Sequence, residues 1–523
     1  MKPNDFELKD TTTVFLLPFS FDEEYLRSLQ KASVWEINNI RVDKSAFYPH
    51  IYKFLVENYA KGSVSLNHNN CLIYSLKDKW DSVTEDNKCI AKLFSKQEFE
   101  IKPESDKEKL YFRILNEKSK LSSPKLMLYP LASVGFLMIS IELTGKERTV
   151  GDLINLNYRL HKITSSPPAI QISLPKNAHI ERAKEADKIY QALANYNFKE
   201  NKTKKEEEHR SWYFHNLFLF LLSDFNTNTL GVKIFNKARF HLFTHLHVDS
   251  AEKLMDGQPI ENDDLIKDFI RLARCQNKKY KVFANDMGNN TIYMQTFENI
   301  YVASCVEGTC IMLDSQGTDS EFFNDFKNDV FFTRYLWIYL LIFLQKHTLI
   351  ELTEKLLSFD TNMAAESTGT FWKKFKKMVN LDTDIASDSM DNLGKLVSDL
   401  SKMKINSAFA SISDHTQHNT FYWFCSEKLL VNKHLQEVKD KIGDVDIILR
   451  DRIDQSNKRQ SRRLEWVLAI LMISQIYFAM VSFYHIEAHW LNWLIKRIPI
   501  VFIVLILILL WFRTVDMMKS SKR

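Results

Sequence analysis

Gln475, Phe478, Ser482 and His485 recur at spacings of 3, 4 and 3 near the C-terminal end of the chain. On a helix such residues share one face. They belong to a stretch, Trp466–Ile486, that contains no Asp, Glu, Lys or Arg. Polar groups in an apolar segment of this kind serve one of two ends. They line a water-filled path, with Phe478 as an apolar constriction, or they hydrogen-bond between packed helices. The sequence leaves both open. Immediately beyond lie Glu487, His489, Trp490 and Trp493, with Lys496 and Arg497. One carboxylate and two imidazoles, counting His485, are poor equipment for a Mg²⁺ filter, which needs oxygen ligands and negative potential.

Other groups with chemical potential read more plainly. His241, His245 and His247 in "RFHLFTHLHV" fall on one side of a strand, with Phe243 between them. Imidazoles bind Zn²⁺, but no cysteine or carboxylate accompanies these, and the expectation is a histidine-bearing strand face. Asp440, Asp444, Asp451 and Asp454 stand among Lys441, Arg450 and Arg452. Surface ion pairs on a helix account for them better than cation sensing does. "FWKKFKKMV" (Phe371–Val379) reads as a solvated basic helix with an aromatic edge. The six cysteines form no CxxC pair and are expected to be reduced thiols in a cytosol. No G-x-S-x-G, HExxH, GxxxxGK or GxGxxG occurs, and the spacing of Asp224, His245 and Asp286 gives no reason to assemble them. No enzymatic activity is expected.

The elements that must position these residues follow from the apolar runs. Trp212–Leu222 and Tyr335–Leu344 are shorter than the ~20 residues a membrane helix needs, so both are expected as buried core helices. Residues 466–486 and 498–512 are expected to form a transmembrane hairpin in a lipid bilayer. Basic residues flank its two chain ends (Lys458, Arg459, Arg462, Arg463; Arg513, Lys519, Lys522, Arg523) and outnumber those of the link. This places both termini in the cytoplasm, at the inner (cell) membrane. Upstream, Val431, Leu435, Val438, Ile442, Val445 and Leu449 follow a heptad. One helix is expected from about residue 421 through the membrane, its heptad face packed on copies of itself or on neighbouring helices.

The 523 residues are 45% hydrophobic and 26% charged with a net charge of +5, enough for two or three domains and without the basic excess of a nucleic-acid binder. The N-terminus lacks a signal-peptide layout. β-rich segments such as "TTVFLLPFSF", "GFLMISIEL" and "NIYVASC" alternate with helical patterns up to about residue 325. The expected organisation is an α/β cytosolic ligand-sensing domain (1–325), a helical region (326–463) with its stalk at about 421–463, and a membrane hairpin with a basic tail (464–523).

This layout resembles the CorA-type metal-ion transporters. The run Tyr335–Leu356 followed by Phe421–Ile442 is similar to that family's buried helix before the stalk. The resemblance implies a pentamer whose first span lines the pore. The family's Gly-Met-Asn signature is missing here, and no glycine follows Gly443. A divergent branch shares that loss, the hairpin and an enlarged cytosolic domain. It comprises effectors of type III CRISPR antiviral defence, opened by an adenine-containing second messenger. In its best-known members this is a conjugate of S-adenosylmethionine with AMP (SAM-AMP). The resemblance thus implies a homo-oligomeric channel gated by a small nucleotide. Two alternatives stand beside it: a Mg²⁺, Ni²⁺ or Co²⁺ transporter with an atypical filter, and a membrane-anchored binding protein without a pore.

Overall fold

A computed structural model describes residues 6–30, 34–37, 44–56, 71–77, 94, 98–101, 109–116, 123–145, 148–164, 167–172, 187–193, 212–222, 232–249, 262–287, 292–297, 299–315, 321–367 and 411–444, and eleven single positions between 447 and 475. The chain divides into two units, Met1–Ile442 and Gly443–Arg523.

Fourteen described strands of the first unit form one sheet. In chain order they are β1 (Leu8–Phe21), β2 (Trp35–Ile37), β3 (Leu72–Leu76), β4 (Glu98–Ile101), β5 (Leu110–Ile114), β6 (Lys125–Tyr129), β7 (Val134–Thr144), β8 (Ala169–Ile172), β9 (Trp212–Tyr213), β10 (Val232–Ile234), β11 (His241–Val248), β12 (Tyr293–Phe297), β13 (Ile300–Ser304) and β14 (Gly308–Asp314). The main order is β12-β13-β14-β11-β1-β7-β5-β4-β8-β9. β11 and β14 run parallel, and the other pairs are antiparallel.

Alternation divides the central strands between two helical layers. On one side are α1 (Val150–Leu160) and α2 (Phe214–Leu222). Phe15 meets Phe214 edge-on at 4.9 Å, and Asn157 bridges Thr13 and Thr244 at 3.0 and 3.1 Å. Helix α1 starts on a capping box in which the Thr149 hydroxyl accepts from the Asp152 amide. α3 (Asn262–Ala273) follows β11. On the other side lie α4 (Glu321–Phe326), a nine-residue π-helix (Lys327–Tyr335), α5 (Leu336–Ser367) and α6 (Thr416–Lys428). The run Tyr335–Leu344 is a buried helical stretch, as its length implied; of Trp212–Leu222, Trp212 and Tyr213 form β9 instead and Phe214–Leu222 is a buried helix.

Because α4 to α6 cover the sheet, the compact unit runs past residue 325 to Ile442. The helix expected to be continuous from residue 421 is interrupted. Leu430 adopts φ 61°, the left-handed region, and the chain resumes as helix over 431–444. Leu429 is fully buried at this joint, so tertiary packing overrides the heptad.

Gly308 opens β14 where neighbouring backbone is close. A Cβ there would lie 2.9 Å from the Leu242 carbonyl oxygen and 3.2 Å from that of Ala273. Backbone cannot rotate away as a side chain would. Gly308→Ala is therefore expected to destabilise the unit by about 1–3 kcal/mol. A thermal-melt midpoint equal to that of the parent would show that β14 has room to spare.

Candidate functional site

The histidine strand is arranged as its spacing implied. His241, Phe243, His245 and His247 all face the layer of α4, the π-helix and α5. Phe243 stacks on Tyr339 at 4.3 Å and on Phe331 at 5.0 Å. His241 hydrogen-bonds the Tyr339 hydroxyl. His245 lies between Phe326 and Phe331, at 5.6 and 5.1 Å, and neither of its ring nitrogens has a hydrogen-bond partner. Burial holds His245 neutral, with its pKa lowered to about 3 despite Asp10 nearby. These rings are the core of an aromatic interlayer.

Beside them runs a charged seam. Lys327, the first π-helical residue, reaches the Asp10 carboxylate at 2.8 Å and the Glu142 carboxylate at 3.7 Å. Arg113 donates to Glu142 from Nε at 2.8 Å and from Nη2 at 2.6 Å. The seam ties the start of the π-helix to β1 and β7. Nine residues of π-helix is long for a conformation that usually appears as a single turn, often at functional sites.

The far end of the π-helix borders a cavity of about 370 Å³. Val330, Arg334 and Tyr335 come from the π-helix, Phe322 and Phe323 from α4, Phe297 from β12 and Ile300 from β13. Asn299 comes from the turn between those strands, and Gln417 and His418 from the first turn of α6. Phe297 and Phe322 are 47% and 50% exposed, so each offers ring surface to an incoming molecule. Tyr335 meets Phe421 of α6 edge-on at 4.9 Å and His418 at 6.0 Å. Asn299 carries a buried Oδ1 with no hydrogen-bond partner. Arg334 is the one lining residue with a permanent charge. The cavity is thus mostly apolar, with one cationic side chain in its wall.

Nothing in the sequence's spacing marked this set. Its members come from four separated stretches, and "FFTRY" carries no mark of the π-helix that holds Arg334 and Tyr335 at the cavity.

Of the residues expected to line a pore, Gln475 is described: it is helical and exposed, with Leu468 and Met472, 56% and 57% exposed, at helical spacing before it. Phe478, Ser482, His485, Glu487 and His489 lie outside the described residues, as do Phe371–Val379 and residues 498–512. Among the described residues no helix is long and apolar enough to cross a membrane. In the stalk stretch, Asp440 accepts a hydrogen bond from Gln436 and Lys441 pairs with Glu437, so the described ion pair bypasses the aspartates. Asp286 is held by both terminal nitrogens of Arg274, away from His245 in sequence and partners.

Comparison of the chain with protein-family models, with curated proteins and with solved structures finds no match in any of the three.

Proposed function

We propose that this chain is a ligand-gated, homo-oligomeric membrane channel of CorA-like layout, with both termini cytoplasmic. In this reading the α/β unit senses an adenine-nucleotide messenger of the SAM-AMP kind and Gln475, Phe478, Ser482 and His485 line the path. The observation that carries it is the position of the cavity. One wall is the first turn of α6, and the chain of α6 leads through the Leu430 joint into the heptad stretch and the apolar run 466–486. A molecule held between the π-helix and α6 changes the free energy of α6, which is the requirement for a ligand to shift a two-state equilibrium. The run 466–486, free of charge over a span's length, supports membrane insertion, with the shorter apolar run 498–512 as its partner.

The test is ion flux through proteoliposomes holding the full chain, with and without adenine-containing messengers. Flux that rises at least about tenfold on messenger addition, the scale of a coupling of 1–3 kcal/mol, is the expected result. Steady Mg²⁺ flux without messenger replaces the reading with a transporter, and absence of flux under every condition replaces it with an anchored binding protein.

A further inference from the structure

The end of α3 meets the β13–β14 hairpin through cysteines. We infer that Cys275 and Cys305 are a redox-active pair, closed into a disulfide when a small-molecule disulfide oxidises the chain. This is a site of reversible covalent modification, and it does not depend on the channel reading.

The geometry comes from a helix end and a turn. Cys275, Cys305 and Cys310 are free thiols. Past α3 the Cys275 amide donates to the Leu272 carbonyl at 3.1 Å, and that of Gln276 to the Arg271 carbonyl at 3.0 Å. Cys275 adopts φ 51° at this position, where glycine is the usual residue. Its Sγ lies 3.9 Å from the Glu307 carbonyl oxygen and 3.2 Å from where a Cβ on Gly308 would stand. Gly308 stands opposite Cys305, because Ser304 pairs with Thr309 and the Cys305 amide donates to the Gly308 carbonyl at 2.8 Å. Opposed residues direct their side chains to one face, with Cβ positions about 4.5–5.5 Å apart. The Cys275 sulfur therefore fills the place of the side chain that Gly308 lacks, next to the side chain of Cys305. Burial, then Glu307 and Cys305, raise the Cys275 pKa, so the two thiols are within electrostatic reach.

Access sets the order of events. Cys305 is half-buried and can meet a solute, whereas Cys275 is 2% exposed. Cys310 faces the same side but is fully buried opposite Ala303. The Cys305 thiolate attacks one sulfur of the small disulfide, and the first small thiol leaves with the proton that Cys305 gave up. Cys275 then attacks the Cys305 sulfur of the mixed disulfide, and the second small thiol leaves with the Cys275 proton. Two protein thiols are oxidised, one small disulfide is reduced to two thiols, and nothing else is consumed. Burial raises the Cys305 pKa to about 11, with the Arg274 guanidinium acting against it. The first step is therefore slow at neutral pH and speeds up about tenfold per pH unit between 7 and 9. The product pins the end of α3 to the hairpin whose β13 supplies Ile300 to the cavity wall.

The test incubates the full chain in detergent micelles with oxidised glutathione, alkylates the remaining thiols and maps the peptides by mass spectrometry. A linked pair of Cys275 with Cys305, reversed by dithiothreitol, is the expected product. Cys275→Gly suits the left-handed backbone and removes the second thiol. It should accumulate glutathione on Cys305 at least about tenfold over the parent. Cys305→Ala should leave Cys275 reduced. A thermal melt of each variant before oxidation checks its folding. Both thiols alkylated after prolonged incubation at pH 9, a link between Cys275 and Cys310 instead, or a pair that forms only in denaturant overturns the inference. An equal yield of glutathione on Cys305 in parent and Cys275→Gly does so as well.

Discussion

Lowering the pH from 7 to about 5.5 is expected to destabilise the α/β unit by several kcal/mol and bring it to the edge of unfolding. Five histidines carry this effect. Burial lowers the pKa of His161 and His215 to about 4 and of His245 and His347 to about 3, and holds that of His241 well below its ordinary value. In the unfolded chain each titrates near 6.5. Below that value the unfolded chain binds protons that the folded chain refuses, so stability falls with falling pH until the folded values are reached. One unit below 6.5, each histidine costs about 1.4 kcal/mol. Five such groups give a loss of about 7 kcal/mol, the scale of a whole domain's stability. The ring His245 offers the sharpest control. Asp10, Lys327 and His247 surround it electrostatically, yet desolvation dominates. His245→Phe replaces an imidazole that has no hydrogen-bond partner with a ring suited to its aromatic neighbours. Denaturant melts should show the variant gaining about 1 kcal/mol at neutral pH and about 1.4 kcal/mol more at pH 5.5. A variant whose stability depends on pH as steeply as the parent's would show that His245 titrates freely.

Removing the carboxylate of Glu142 should cost about 2–4 kcal/mol. Breaking a buried ion pair from one side typically costs about 3–5 kcal/mol. The figure here is lower because Arg113, its nearest partner, has a side chain 48% exposed and keeps some hydration. Glu142 itself is 7% exposed and faces three cations, Arg113 at 2.6 Å, Lys327 at 3.7 Å and Arg148 at 3.8 Å. Glu142→Gln keeps the shape but removes the carboxylate those cations share, while Lys327 keeps Asp10 at 2.8 Å. In the double variant Glu142→Gln with Lys327→Met, the second substitution should cost less than Lys327→Met alone, because its contact with Glu142 is already gone. Because Lys327 begins the π-helix, Glu142→Gln should also weaken ligand binding at the other end, where Arg334 sits. Urea unfolding of the single and double variants decides this. Additive losses would show that Glu142 and Lys327 do not act through one another.

The sheet was largely legible from sequence because its strands are rich in β-branched and aromatic residues and bounded by turns. "RFHLFTHLHV", "GFLMISIEL" and "CIMLD" all became strands, and the length of Tyr335–Leu344 correctly argued for a core helix. The histidine face was legible too, since period-two alternation fixes it. Three features were not. The π-helix leaves no periodic mark, because its apolar residues also suit an α-helix. The cavity draws on four separated stretches, so its assembly depends on tertiary contacts. The break at Leu430 runs against local preference, which for "EKLLVNKHL" is helical throughout. Of the residues on which a pore rests, Gln475 is described, and Phe478, Ser482 and His485 lie outside the described residues.

The break at Leu430 has a mechanical meaning. A leucine in the left-handed region costs roughly 1–2 kcal/mol relative to the helical basin. That energy is held in place by neighbours: Leu429 is fully buried, and Val431 and Val438 are 8% and 3% exposed. The joint thus stores backbone strain that a helix continuous through Leu430 would not carry. Anything that loosens the seating of Val431 and Val438 recovers the stored energy in the same motion that straightens the chain. The bent form therefore needs continuous restraint, and a modest push at the α6 end is amplified by energy the backbone already holds.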